Sequence, residues 1–140
     1  MQKPNRIGVI VDSTGIKVDN GSGYKPDKVW AGVGGQVHFD ITNNDTVAHT
    51  VQIPIAQFVP SPAFGDATPD PMVPGQVDNV HVAGGGTGRV SLNVKPHGHF
   101  GWQHRSPWKE DHSKIAGMTY KYTVHATGLP PLDPDIEINQ

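Results

Sequence analysis

The chain of 140 residues contains no cysteine. This absence excludes a disulfide framework, a zinc site with thiolate ligands, an iron–sulfur cluster and a nucleophilic thiol. It also excludes a copper centre that has a thiolate ligand. Because a chain without cysteine is compatible with oxidising and reducing compartments alike, the absence does not identify where the protein works.

The sequence also lacks a large excess of charge of either sign and any long apolar run. With 11 Lys and Arg against 13 Asp and Glu, the formal net charge is −2, which argues against a nucleic-acid partner. Apolar runs such as residues 9–11 are far shorter than the roughly 20 residues of a membrane-spanning helix, so we expect no membrane span. Residues 1–6 lack the apolar region of a secretory signal, which predicts a cytoplasmic protein or one whose signal has been removed.

Glycine and proline are abundant, with 17 and 13 residues, and this composition is typical of a β-protein with many turns. Several segments have the length and the mostly alternating pattern of half-buried strands. They are residues 36–42, 47–53, 89–94 and 118–126. Two longer connections, residues 54–75 and 105–117, are rich in proline or in charge and predict loops. The sequence therefore predicts an all-β fold, an antiparallel β-sandwich or Greek-key barrel with two long loops.

Histidine is over-represented, with eight residues, and several of them are clustered. If residues 96–104 form a strand, its parity separates two faces. One face carries Phe100, Trp102 and His104. Because two of these side chains are aromatic, this face resembles a core face, and it ends in the imidazole of His104. The opposite face carries His97 and His99, which we interpret as solvated side chains, with metal chelation as the alternative. We expect three other histidines to lie on the polar faces of strands: His38, His81 and His125.

The order of the remaining motifs resembles that of the cupredoxins, the blue-copper family that includes plastocyanin and azurin. Residues 34–45 form a glycine-rich turn, an alternating strand and an Asn-Asn-Asp turn, after which comes His49-Thr50-Val51. The second motif is Gly98-x-Phe100-x-Trp102-x-His104, followed by His112, Gly117-Met118 and the strand-like segment 120–124. The resemblance covers about residues 27–126, and both motifs occur in the family's order.

The resemblance implies a single cupredoxin-like domain over residues 1–140, with a core of about 27–126 and terminal segments attached to it. It places His104 where the family has its cysteine ligand. The ligand set it implies is His49, His104, His112 and Met118. Three imidazoles with a weak thioether suit copper, as Cu(II) or Cu(I), although without a thiolate the centre cannot be a blue-copper site.

This ligand set implies a protein for copper binding, copper transfer or modified electron transfer, with a redox or copper-transfer protein as partner. The resemblance also implies a periplasmic or extracellular location. One alternative is a metal-free module that binds a protein partner through its loops. The other is a mononuclear copper enzyme with an open coordination position. Since the chain has no Gly-x-Ser-x-Gly, His-Glu-x-x-His or P-loop motif, the sequence favours a non-catalytic role and leaves an enzyme as an open alternative.

Overall fold

The computed structural model describes residues 4–60, 71–96 and 119–139, which form an all-β fold. A short 3-10 helix, η1 (Ile55–Gln57), lies between the fifth and sixth strands. The strands are β1 (Arg6–Asp12), β2 (Gly15–Asp19), β3 (Lys28–Gly32), β4 (Gln36–Asn43), β5 (His49–Gln52), β6 (Val59–Pro60), β7 (Asn79–Val82), β8 (Thr87–Asn93), β9 (Thr119–Lys121), β10 (His125–Ala126) and β11 (Asp135–Asn139).

These strands form three sheets, none of them closed within the described residues. The first sheet has the order β2-β1-β4-β8, the second β10-β5-β7 and the third β3-β11-β9-β6. The predicted all-β fold is confirmed, and the arrangement is consistent with a β-sandwich. The predicted antiparallel pairing holds for most of the described strand pairs but not for all, because β1 pairs with β4 and β11 pairs with β3 in parallel. Parallel neighbours need a long connection between them, and both pairs join strands that are distant in the sequence.

The alternation of apolar and polar residues correctly predicts which side chains of the first sheet face the core. In β4, Val37, Phe39 and Ile41 are at most 1% exposed, whereas the side chains between them point outward. The same parity buries Val90 and Leu92 in β8. Side chains from all three sheets form one hydrophobic cluster, so the sheets share a core.

The segment 118–126 does not form the single strand that its alternation predicts. Its described part contains β9, which pairs with β11 and β6, and β10, which pairs with β5 in another sheet. The chain therefore changes sheets at residues 122–124. The predicted faces are nevertheless correct, because Tyr120, Tyr122 and Val124 are all fully buried.

The strands near the two ends of the chain are integral to the sheets. β1 lies between β2 and β4, and β11 lies between β3 and β9. Ile7, Val9 and Val11 of β1 are fully buried, as is Ile136 of β11. β11 is thus an internal strand of the third sheet.

The two long connections can be described only in part. Residues 54–60 contain η1 and the two-residue β6, and Met72 forms an isolated bridge with Val94. Residues 61–70 and the whole of the predicted loop 105–117 lie outside the described residues. No helix in the described part of the chain is long and apolar enough to cross a membrane.

Candidate functional site

The candidate site is built on the turn between β4 and β5. Asn43, the last residue of β4, makes hydrogen bonds to the backbone of this turn. Asn43 is fully buried, and its Nδ2 lies 2.9, 3.1 and 3.2 Å from the carbonyl oxygens of Val47, Val82 and Ala83. Its Oδ1 accepts a hydrogen bond of 3.0 Å from the backbone N–H of Asp45. This side chain therefore ties the turn to the connection between β7 and β8.

His49 is the first residue of β5 and is only 5% exposed. Its Nδ1 lies 2.8 Å from the carbonyl oxygen of Thr127, and its Nε2 lies 2.8 Å from Oδ2 of Asp45. A carbonyl and a carboxylate can only accept, so both ring nitrogens donate when both hydrogen bonds form, and the ring is then an imidazolium.

The electrostatics of the pair agree with this geometry. The hydrogen bond with Asp45 raises the pKa of His49 above its ordinary value; burial opposes this, and the Thr127 carbonyl supports it. Conversely, the hydrogen bond from His49 lowers the pKa of Asp45, with further help from the N–H of Thr46. The turn therefore contains a partly buried His49–Asp45 pair in which each partner stabilises the charged form of the other.

Of the four predicted metal ligands, the structure describes only His49. His104, His112 and Met118 lie outside the described residues, as do His97 and His99. Within residues 4–60, 71–96 and 119–139, no group of three or more His, Asp or Glu side chains is arranged to hold a metal ion. The four-ligand set stays a prediction.

The three histidines predicted to lie on polar strand faces all do so, and each contacts a neighbouring polar side chain. Nδ1 of His38 lies 2.8 Å from Oγ of Ser91 in β8. Nδ1 of His81 lies 3.1 Å from Oγ1 of Thr50, and Nε2 of His125 lies 3.0 Å from Oε1 of Gln57. These two histidines are in β7 and β10, the strands that pair with β5.

Sequence reasoning missed both partners of His49. Asp45 had a local signal, since it precedes His49 by four residues across a short turn. Thr127 had none, because its carbonyl reaches His49 only through the pairing of β10 with β5. Gly84 was also missed as a packing residue: a Cβ atom there would lie 2.4 Å from the carbonyl oxygen of Thr46.

Comparisons with known proteins do not assign the chain to a family. No family model matches it, and no curated protein matches it. Among solved structures, it is similar to the crystal structure of Lac15 from a marine microbial metagenome, with 15% sequence identity and a TM-score of 0.42. That similarity covers 97% of this chain and 32% of the Lac15 chain, so the chain spans about a third of the protein it matches. A likeness at this level assigns no function.

Proposed function

We propose that the chain binds copper through His49, His104, His112 and Met118, and that it serves in copper binding, copper transfer or modified electron transfer with a protein partner. The proposal rests on the cupredoxin-like order of the motifs, with His104 in the position of the family's cysteine. The same resemblance favours a periplasmic or extracellular location. The structural observation that supports it best is the environment of His49.

His49 has an oxygen acceptor beside each ring nitrogen. Histidines that bind metals almost always donate the N–H of the other ring nitrogen to a carboxylate or a carbonyl, which fixes the tautomer and the orientation of the ring. His49 has one acceptor of each type, Asp45 and Thr127. Copper at either nitrogen would have to displace the acceptor there, while the other nitrogen keeps a partner that holds the ring in place.

The chemistry of such a site follows from its donor types. Neutral imidazole is a good ligand for Cu(II), and a thioether favours Cu(I). Because a ligating nitrogen must be free of its hydrogen, the imidazolium of His49 has to release a proton when the metal binds. Copper binding should therefore release protons and weaken as the pH falls.

The test is a titration of the metal-stripped full chain with Cu(II), followed by electron paramagnetic resonance and copper stoichiometry. We expect one tight equivalent with nitrogen hyperfine structure, and its loss in His104→Ala. His81→Ala is the matched control, since it removes an exposed imidazole from β7 and should leave the spectrum unchanged. Weak uptake by the wild type, or equal uptake by wild type and His104→Ala, would contradict the proposal.

A second candidate is a metal-free interaction module, and the double engagement of His49 favours it. Both ring nitrogens already have hydrogen-bond partners within the protein, so neither is left over to bind a metal. In this case, Cu(II) should leave the melting temperature unchanged. A specific copper site would instead raise the melting temperature with copper concentration, because only the folded chain would bind the ion.

A further inference from the structure

A cleft on the outer face of the first sheet has the composition of a ligand site. Its volume is ≈ 450 Å³, and it lies along the paired strands β4 and β8. The residues that line it are Asp40, Ile41, Thr42, Thr87, Gly88 and Arg89. Since side chains alternate along β4, Asp40 and Thr42 lie on the face opposite the buried Asn43. The cleft contains none of the residues proposed to bind copper.

An ion network across three strands holds the Arg89 guanidinium of this cleft in place. Nε of Arg89 donates to Oδ1 of Asp40 at 2.7 Å, and Nη1 of Arg6 donates to Oδ2 of the same carboxylate at 2.8 Å. In the register of β1 with β4, the residue opposite Asp40 is Gly8. Because Gly8 has no side chain, the position beside Asp40 is left open to the Arg6 guanidinium from two residues away.

Arg89 uses only one of its side-chain nitrogen atoms, Nε, to bind Asp40. The hydrogen bond uses Nε, and no other described residue accepts a hydrogen bond from the Arg89 guanidinium. Its side chain is 54% exposed, so the two Nη groups can reach a ligand. Two guanidiniums on a single carboxylate also leave the network with a net positive charge. Such a guanidinium, held by one carboxylate and open at its other end, is preorganised for a second anion.

Two hydroxyl groups lie beside this guanidinium. Thr42 and Thr87 are directly opposite each other in the β4–β8 register, and both line the cleft. A threonine hydroxyl can donate one hydrogen bond and accept others. The lining therefore combines a charged fork with neutral donors, which is the kind of arrangement that binds carboxylate or phosphate oxygens.

We propose that this cleft binds a small oxyanion, a carboxylate or phosphate group of a small molecule, through the Nη groups of Arg89 and the hydroxyls of Thr42 and Thr87. Asp40 is then a positioning residue that fixes the Arg89 fork. The volume suits a compound of modest size, such as a sugar phosphate or a dicarboxylate. The proposal is independent of copper binding, so either can fail without the other.

The test is a titration of the ¹⁵N-labelled full chain with inorganic phosphate and, separately, with acetate, followed by amide chemical shifts. We expect saturable shifts at Thr42, Thr87 and Gly88 with at least one of the two anions. Arg89→Lys keeps the charge but loses the planar fork, and it should weaken binding by about tenfold or more. Lys121→Gln is the matched control, since Lys121 is also an exposed cation paired with an aspartate but lies in the third sheet.

Two results would overturn the proposal. The first is the absence of saturable shifts at the cleft with either anion. The second is equal binding by wild type and Arg89→Lys, or an equal loss in Lys121→Gln, because the anion would then respond only to overall charge. A native-like melting temperature and amide spectrum of Arg89→Lys before titration would show that a loss of binding does not come from unfolding.

Discussion

The Asn43 side chain ties the turn before β5 to the connection between β7 and β8. It is fully buried. Its Nδ2 lies within hydrogen-bond distance of three backbone carbonyl oxygens, and its Oδ1 accepts a hydrogen bond from one backbone N–H. Asn43→Ala would remove these hydrogen bonds from a buried site. We expect the free energy of unfolding to fall by about 2–3 kcal/mol, measured by urea denaturation. Asn44→Ala, at the exposed neighbouring position, should change it by less than about 0.5 kcal/mol; similar losses in both variants would contradict this account.

Asp40 should make part of the stability depend on acid pH. Its partial burial raises its pKa, but the hydrogen bonds from Arg6 and Arg89 outweigh burial, so the pKa is lowered below 3.8. A lowered folded-state pKa contributes stability that is fully present above the unfolded value and is lost as pH falls through the folded value. Unfolding free energies measured between about pH 5 and pH 2 should therefore fall less steeply in Asp40→Asn than in the wild type.

The same acid dependence should disappear when the donors are removed instead of the acceptor. In the double variant Arg6→Met, Arg89→Met, which has no side-chain donor at either position, the hydrogen bonds and charges that lower the pKa of Asp40 are absent, so the acid dependence due to Asp40 should be lost as in Asp40→Asn. If the double variant keeps the wild-type slope, the acid dependence has another source.

At the scale of elements, the turn before β5 and the connection between β7 and β8 pack against each other through backbone atoms. A Cβ atom at Gly84 would lie 2.4 Å from the carbonyl oxygen of Thr46, which is a clash with backbone that cannot rotate away. We expect Gly84→Ala to lower the free energy of unfolding by about 1–3 kcal/mol, measured by thermal or urea denaturation. Gly23→Ala is the control, because a Cβ there meets nothing within 4 Å.

The alternation of apolar residues made the strands and their inward faces predictable. Val37, Phe39 and Ile41 share a face in the sequence pattern and in the structure, because a strand has only two faces. The same pattern could not reveal that the chain changes sheets at residues 122–124, since alternation is identical whichever strand is the neighbour. Nor could it predict parallel pairing, which depends on contacts between distant segments.

The candidate site was predictable only where its signals were local. The resemblance to the cupredoxins singles out His49, through the turn before it and the valine that follows Thr50. Its burial and its contact with Thr127 depend on the pairing of β10 with β5, which no spacing in the sequence encodes. The Arg6–Asp40–Arg89 network has the same origin, because three strands in register bring these charges together.

At the scale of the whole molecule, the N-terminal strand β1 belongs to the hydrophobic core that all three sheets share. Ile7 is fully buried in that core, whereas Ile10 of the same strand is only half-buried and faces outward. Ile7→Ala should lower the free energy of unfolding by about 2–5 kcal/mol, and Ile10→Ala by about 1 kcal/mol or less. Urea denaturation followed by tryptophan fluorescence measures both. Equal effects would mean that β1 is not packed as described.

The parallel pairing of β3 with β11 has a consequence for synthesis on the ribosome. Among the described strands, β3 pairs only with β11, so residues 28–32 lack this strand neighbour until residues 135–139 have been translated. Val29 and Ala31, which are buried in the finished fold, lie on the strand that is unpaired with β11 during this interval. Unpaired strand edges with apolar side chains are prone to aggregate. Chaperones that shield β-strands should therefore raise the soluble yield when they bind during translation, and help less when added after release.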